Sequence, residues 1–248
     1  MNWTAISNTS RIGKILRLPL RLIPPRTVMP ILQGPLRGKK WIVGSGNHGY
    51  WLGSYEMGKC ILFEKSIPPD GVVFDLGGNV GYYSLLSSVR AGPRGRVYAF
   101  EPLPRNLDFL RRHLALNHIE NVTVIEAAVA DRSGTVRFEE DPSTSKGRIG
   151  AQGALEVRSV SLDDWIAQGK IPAPDLMKID IEGAEFLALQ GARKLLAGSH
   201  PAIFLSTHSG RVHRDCLAML ESLGYQIVSI DNRPLERSRD LLATHPSI

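Results

Sequence analysis

Beyond residue 70, short continuous apolar runs alternate with amphipathic stretches of helical length. The clearest run is Val72-Val73-Phe74, which passes through Asp75 and Leu76 into Gly77-Gly78-Asn79-Val80-Gly81. Tyr82-Tyr83-Ser84-Leu85-Leu86 follows at once. This order predicts a buried parallel strand, a tight turn and a helix whose N-terminus points back over the turn. Arg96–Phe100 predicts a second strand ending at Glu101-Pro102, and residues 104–117 a helix with Leu107, Leu110 and Leu114 on one face. Asn121–Ile125, Asp175–Asp180 and Pro201–Leu205 predict the third, fourth and fifth strands. A helix over Val212–Leu223, striped with Cys216 and Met219, precedes a strand at Tyr225–Ile230. The polar stretch holding Asp141-Pro142 and Gly147 through Gly153 predicts a mobile loop, with a strand near Val157. Strands separated by helices imply an α/β protein with a mostly parallel sheet and helices on both faces.

The pattern before residue 55 differs. Ser10 is a fitting N-cap for a short helix with Ile12, Ile15 and Leu16 on one face and Lys14, Arg17 and Arg21 elsewhere, ended by Pro19 or Pro24-Pro25. Residues 27–54 are rich in glycine and aromatics and predict short strands or a hairpin. Trp41, His48, Tyr50 and Trp51 suit either a substrate mouth or a satellite core. Tyr55–Ile67 predicts a helix, and Pro68-Pro69-Asp70-Gly71 breaks the chain before the first core strand. The expected division is an extension over 1–54 and a ligand-binding domain over 55–248.

Composition adds limits. The 248 residues are 43% hydrophobic and 22% charged, enough to bury a full core. The net charge of +6 is concentrated early, with eight Lys or Arg between Arg11 and Lys40 and no acid before Glu56. A basic amphipathic segment over residues 10–26 could rest on an anionic membrane or simply pack on the domain. No apolar run approaches the roughly 20 residues of a membrane span. Cys60 and Cys216 lie among apolar residues, so a cysteine metal cluster or disulfide framework is not expected and a reducing cytoplasm fits.

The chemistry-bearing residues fall at predicted strand ends. A dinucleotide fingerprint ending at Gly81 would need glycine at position 76, where Leu76 stands, so that pattern fails. Asp75 before the turn instead predicts a ligand carrying ammonium or sulfonium charge, as S-adenosylmethionine does. Glu101 reaches the place where a carboxylate accepts two ribose hydroxyls. Lys178, Asp180 and Glu182, at spacing two, point to one side if the strand runs on without a bulge. Asp180 could face the cofactor's cationic end, and Glu182 could orient or deprotonate an acceptor. Ser206-Thr207-His208 closes the fifth strand at the same edge, and His208 could take a proton or be a hydrogen-bonded loop residue. No zinc motif is present, and Asp180 with Glu182 lacks an evident third ligand, so no metal is expected.

Phe74 through Ser84, Phe100-Glu101-Pro102 with Asn106, and Lys178 through Glu185 together resemble the FkbM family of S-adenosylmethionine-dependent methyltransferases, over about residues 70–208. The resemblance implies a Rossmann-like class I methyltransferase fold, with a seven-stranded sheet whose last strand is antiparallel, and methyl transfer, usually to oxygen. It places Asp75, Gly77, Gly78, Asn79 and Gly81 around the methionine part of the cofactor, Glu101 on ribose, and the backbone near Ala128 on adenine. Asp180 and Glu182 fall at the reaction mouth. Many members carry a glutamate on strand five where this chain has Ser206, which leaves His208 as the nearer candidate. The expected acceptor is a sugar hydroxyl of a glycolipid or polysaccharide precursor. Polyketide or peptide natural products are the alternative, and RNA is disfavoured because no stacking aromatic motif accompanies the basic residues.

Overall fold

In the computed structural model, residues 19–140, 147–150 and 152–247 are described. The basic helix expected from Ser10 lies almost wholly outside them. Of that segment residues 19–26 are described, beginning with the short 3-10 turn Pro19–Leu22.

The central sheet has seven strands. These are β3 (Val72–Leu76), β4 (Arg96–Phe100), β5 (Val122–Ile125), β10 (Leu176–Ile179), β11 (Ala202–Ser206), β12 (Gln226–Ser229) and β13 (Asp240–Thr244), in the order β12-β13-β11-β10-β3-β4-β5. The pairs β10–β11, β10–β3, β3–β4 and β4–β5 are parallel, whereas β13 runs antiparallel to β11 and β12. This is the class I methyltransferase topology. All five residues of β3 are buried, including the acid Asp75. That follows from its central place, with both faces covered by helices.

Helix α3 (Tyr82–Ala91) follows the glycine turn, and α4 (Pro104–Leu116) follows β4 with Leu107, Leu110 and Leu114 inside. Helix α5 (Leu162–Ala167) is capped by the Ser161 hydroxyl, and the short α6 (Glu185–Gln190) and α7 (Arg193–Ser199) precede β11. Helix α8 (Gly210–Ser222), capped by the Ser209 hydroxyl, leads to β12. On one face of the sheet, Phe74, Phe100, Ile179 and Leu205 pack on α5 to α8. On the other, Val73, Val97 and Phe204 meet α3 and the chain before residue 70.

That earlier part is joined to the domain through a shared core. Strands β1 (Val28–Pro30) and β2 (Lys40–Ile42) form an antiparallel pair, as expected. Gly49–Leu52, however, is one helical turn, α1, and not a strand. Trp41, Trp51 and Leu52 are buried in the same cluster as Val73, Leu85 and Phe204, with α2 (Met57–Ser66) between them. His113 of α4 fastens the joint. Its Nε2 accepts the Ile42 N–H at 3.1 Å, its Nδ1 donates to the Val80 carbonyl at 2.7 Å, and its ring stacks on Trp41.

A second sheet takes up Gly147–Ile149 of the expected loop, while residues 141–146 and 151 of that stretch lie outside the described residues. Strands β6 (Ala128–Val129), β7 (Gly134–Glu140), β8 (Gly147–Ile149) and β9 (Leu155–Val160) pair in the order β6-β9-β7-β8. Phe138, Val157 and Ala128 with Leu103 give this sheet its own small core. Alternating burial in β9 matches a strand with one face covered.

Candidate active site

A cavity of about 490 Å³ opens beyond the carboxyl ends of β3, β4, β10 and β11. Its wall takes Gly77, Gly78 and Asn79 from the turn, Glu101 from the end of β4, and Ala128 and Phe138 from the second sheet. Lys178, Asp180, Glu182 and His208 close the other end, where Tyr50 and Tyr55 reach in from the chain before β3. Open α/β sheets hold ligands at this edge, and the volume suits a small-molecule pocket.

The turn is shaped by its glycines. Gly77 has φ +84°, and a Cβ there would lie 2.1 Å from the Asp180 carbonyl oxygen, so only glycine lets β3 and β10 close together. Asn79 also adopts a left-handed backbone, at φ +47°. Its N–H donates to Oε2 of Glu101 at 2.8 Å. Oε1 of Glu101 accepts the Leu103 N–H at 3.0 Å and the Asn106 amide at 3.1 Å. Burial pushes the Glu101 carboxyl up to about 7, against the pull of these hydrogen bonds.

Asp75 requires a correction. Its side chain is fully buried and takes no part in the cavity wall. Oδ2 accepts the Ser84 hydroxyl at 2.6 Å, and Oδ1 lies 3.6 Å from Lys178 Nζ. The parallel register sets Lys178 opposite Asp75, so a lysine of the chain, not a ligand, meets the charge aimed from β3. Gly81 is also outside the wall: with φ +92° it turns the chain into α3, and a Cβ there would meet Leu110.

Lys178 Nζ bridges Asp75 to Asp180 Oδ2, at 3.5 Å, and lies 4.7 Å from the centre of the Tyr83 ring. Burial works against its charge, but Asp180 and Asp75 outweigh that cost and hold the ammonium above its ordinary range. Asp180 and Glu182 reach the same cavity, though by another route than strand alternation. β10 ends at Ile179, and Glu182 sits at φ +53° in the turn that follows. His208 Nε2 lies 3.5 Å from Asp180 Oδ1 and 3.4 Å from Glu182 Oε2. Its Nδ1 is 2.8 Å from Oε1 of the buried Glu185. Burial opposes protonation of His208, but Glu185, Asp180 and Glu182 prevail and raise its pKa.

Two groups near the cavity escape sequence reasoning. Glu185 stands inside the Lys178–Glu185 string, yet only the fold shows that it holds His208. Lys59 of α2 is nearly buried, with Nζ 2.6 Å from the Ser206 hydroxyl, 2.7 Å from Asp240 and 3.6 Å from Glu56. Its partners come from sequence positions up to 181 residues away, so no local spacing signals the network. Cys60 and Cys216 are free and buried, and burial pushes both thiols up to about 12.

Residues 75–227, more than half of the chain, match the methyltransferase FkbM domain model. The chain belongs to the FkbM family of S-adenosylmethionine-dependent methyltransferases. It is 27% identical to the hexuronic acid methyltransferase AglP of Haloferax volcanii over 162 residues, covering 64% of this chain and 65% of AglP. The chain therefore spans somewhat less than two thirds of that relative. It is 51% identical over 189 residues to part of the AMB antimetabolite synthetase AmbE of Pseudomonas aeruginosa, covering 58% of this chain and 9% of AmbE. The fold is that of the FkbM methyltransferase structure from Methylobacillus flagellatus KT, with a TM-score of 0.51 at 20% identity, covering 81% of this chain and 56% of that one. The donor set of the cavity fits S-adenosylmethionine: a nearly buried acid beyond β4, and two acids at the opposite end for a cationic group.

Proposed function

We propose that this chain methylates a sugar hydroxyl on a glycolipid or polysaccharide precursor. The observation that carries the reading is the polar rim around Asp180, Glu182 and His208, where Glu56, Arg239 and Asp240 stand beside Tyr50 and Tyr55. Charged and hydroxyl-bearing groups next to aromatic rings suit a polyhydroxylated acceptor. The likeness to a hexuronic acid methyltransferase supports the same class.

Glu101 would hold the ribose hydroxyls, the backbone near Ala128 the adenine, and Gly77, Gly78 and Asn79 the methionine part. Asp180 would face the cationic end. When bound, S-adenosylmethionine supplies an electrophilic methyl group. The chain then has to align an acceptor oxygen, exclude water and let a proton leave toward the Asp180–Glu182–His208 group. Lys178 fixes Asp180 in place. General-base help of this kind is worth about 10²–10⁴-fold for a hydroxyl acceptor. The reading places the work in the cytoplasm, with residues 10–26 either touching the inner membrane face or packed on the domain, as Leu20 and Ile23 are.

The likeness to part of AmbE favours a second reading, a peptide or polyketide natural product as acceptor. Incubation with tritiated S-adenosylmethionine and a panel of uronic acid glycosides, glycolipids, peptide and polyketide acceptors and RNA decides between them. Label in the glycans is the expected result. Label confined to peptide or polyketide acceptors establishes the second reading, and label in RNA alone overturns both.

A further inference from the structure

We infer that Asp180, Glu182 and His208 form a binding site for one divalent cation that holds the acceptor oxygen. The proposal rests on the O-methylation reading and gives that reaction mouth its ligand. One donor atom from each of the three residues lies within 4.8 Å of the others, from two adjacent strand ends. That is the spread of donors around a single ion, since metal–ligand distances of about 2.0–2.6 Å separate neighbouring ligands by about 3–5 Å.

The back of the histidine gives independent support. Glu185 is fully buried, and its Oε1 accepts the Gly183 N–H at 2.9 Å and the Ile181 N–H at 3.3 Å besides facing His208 Nδ1. A carboxylate fixed in this way holds Nδ1 as a donor and aims Nε2 at Asp180 and Glu182, where a metal ion would take the place of its proton. Metal-bound histidines are held from behind by the same arrangement. Two carboxylates with one imidazole suit Mn²⁺ or Mg²⁺ better than a thiolate-seeking metal. Three protein donors leave positions for two acceptor oxygens, so the site selects acceptors with neighbouring oxygens, such as a hydroxyl beside a carboxylate.

The test uses the full chain, stripped with a chelator and titrated with Mn²⁺ alone, read by loss of the free Mn²⁺ electron paramagnetic resonance signal. S-adenosylhomocysteine affinity is measured in parallel by calorimetry. One Mn²⁺ per chain is expected. Binding should weaken at least tenfold in Glu182→Gln and in His208→Gln, and 10–100-fold in Glu185→Gln. S-adenosylhomocysteine affinity should stay within twofold in the Glu182 and His208 variants. No saturable Mn²⁺ or Mg²⁺ binding, or unchanged binding in both Glu182→Gln and His208→Gln, overturns the cation site. If S-adenosylhomocysteine still binds, only that site falls. If it does not bind the wild-type chain, the methyltransferase reading falls instead.

Discussion

The backbone N–H of Asn79 donates to Oε2 of Glu101 across 2.8 Å, which ties the glycine turn to the acid at the end of the next strand. The turn and the proposed ribose acid are thus one unit before any ligand arrives. Because burial raises this carboxyl from 4.5 to about 7, the free protein gains a proton there as pH falls through neutrality. The carboxylate is the form that accepts two ribose hydroxyls. S-adenosylhomocysteine affinity should therefore be flat above pH 8 and fall about tenfold per unit below 7. Calorimetric titrations at pH 6, 7 and 8 check this, and Glu101→Gln should bind weakly with no such slope.

The buried pair of Lys178 and Asp75 makes a different prediction. Removing one partner leaves an uncompensated charge inside the sheet, at a cost of about 3–5 kcal/mol. Lys178→Met should lower urea stability by that order. The double variant with Asp75→Asn should lose less than the sum of the two single changes. Additive losses would show that the two side chains act independently.

His113 couples the earlier chain to the glycine turn and gives stability a pH dependence. Burial lowers its pKa from 6.5 to about 4, so the unfolded chain takes up a proton first as pH falls. Its contribution is complete above pH 6.5 and is lost as pH falls from 6.5 to 4, about 3 kcal/mol in all. Urea unfolding at pH 7.5 and 5 should show the wild type losing more stability on acidification than His113→Phe.

Gly77 predicts a steric effect. An alanine there would overlap the Asp180 carbonyl and occupy a left-handed backbone, so Gly77→Ala should lower both stability and S-adenosylhomocysteine affinity. Gly58, in α2 with open space around it, should tolerate alanine and gain up to about 1 kcal/mol. Thermal unfolding of the two variants makes the comparison.

The parts legible in sequence were those with local signals. The run Val72–Phe74 before a glycine turn fixes β3 and α3, and the string Lys178–Glu182 holds three groups of one edge, although the turn after Ile179, not strand alternation, places Glu182 there. What escaped depends on distant contacts. Asp75 meets Lys178 only through the register of β3 with β10. β8 lies in the glycine-bearing stretch expected to be a loop, and only its pairing with β7 makes Gly147–Ile149 a strand. β13 follows the polar stretch 231–239, and its place between β11 and β12 is set by pairing. Trp41 becomes core only because His113 and Tyr82 close around it.

The proposed S-adenosylmethionine site is the cleft between the glycine turn and Glu101. Calorimetry of S-adenosylhomocysteine against wild type and Glu101→Ala tests it most directly. One site per chain is predicted, weakened by at least about 100-fold when two hydrogen bonds to a charged group are lost. Equal affinity in the two proteins, or no binding to either, would contradict the account.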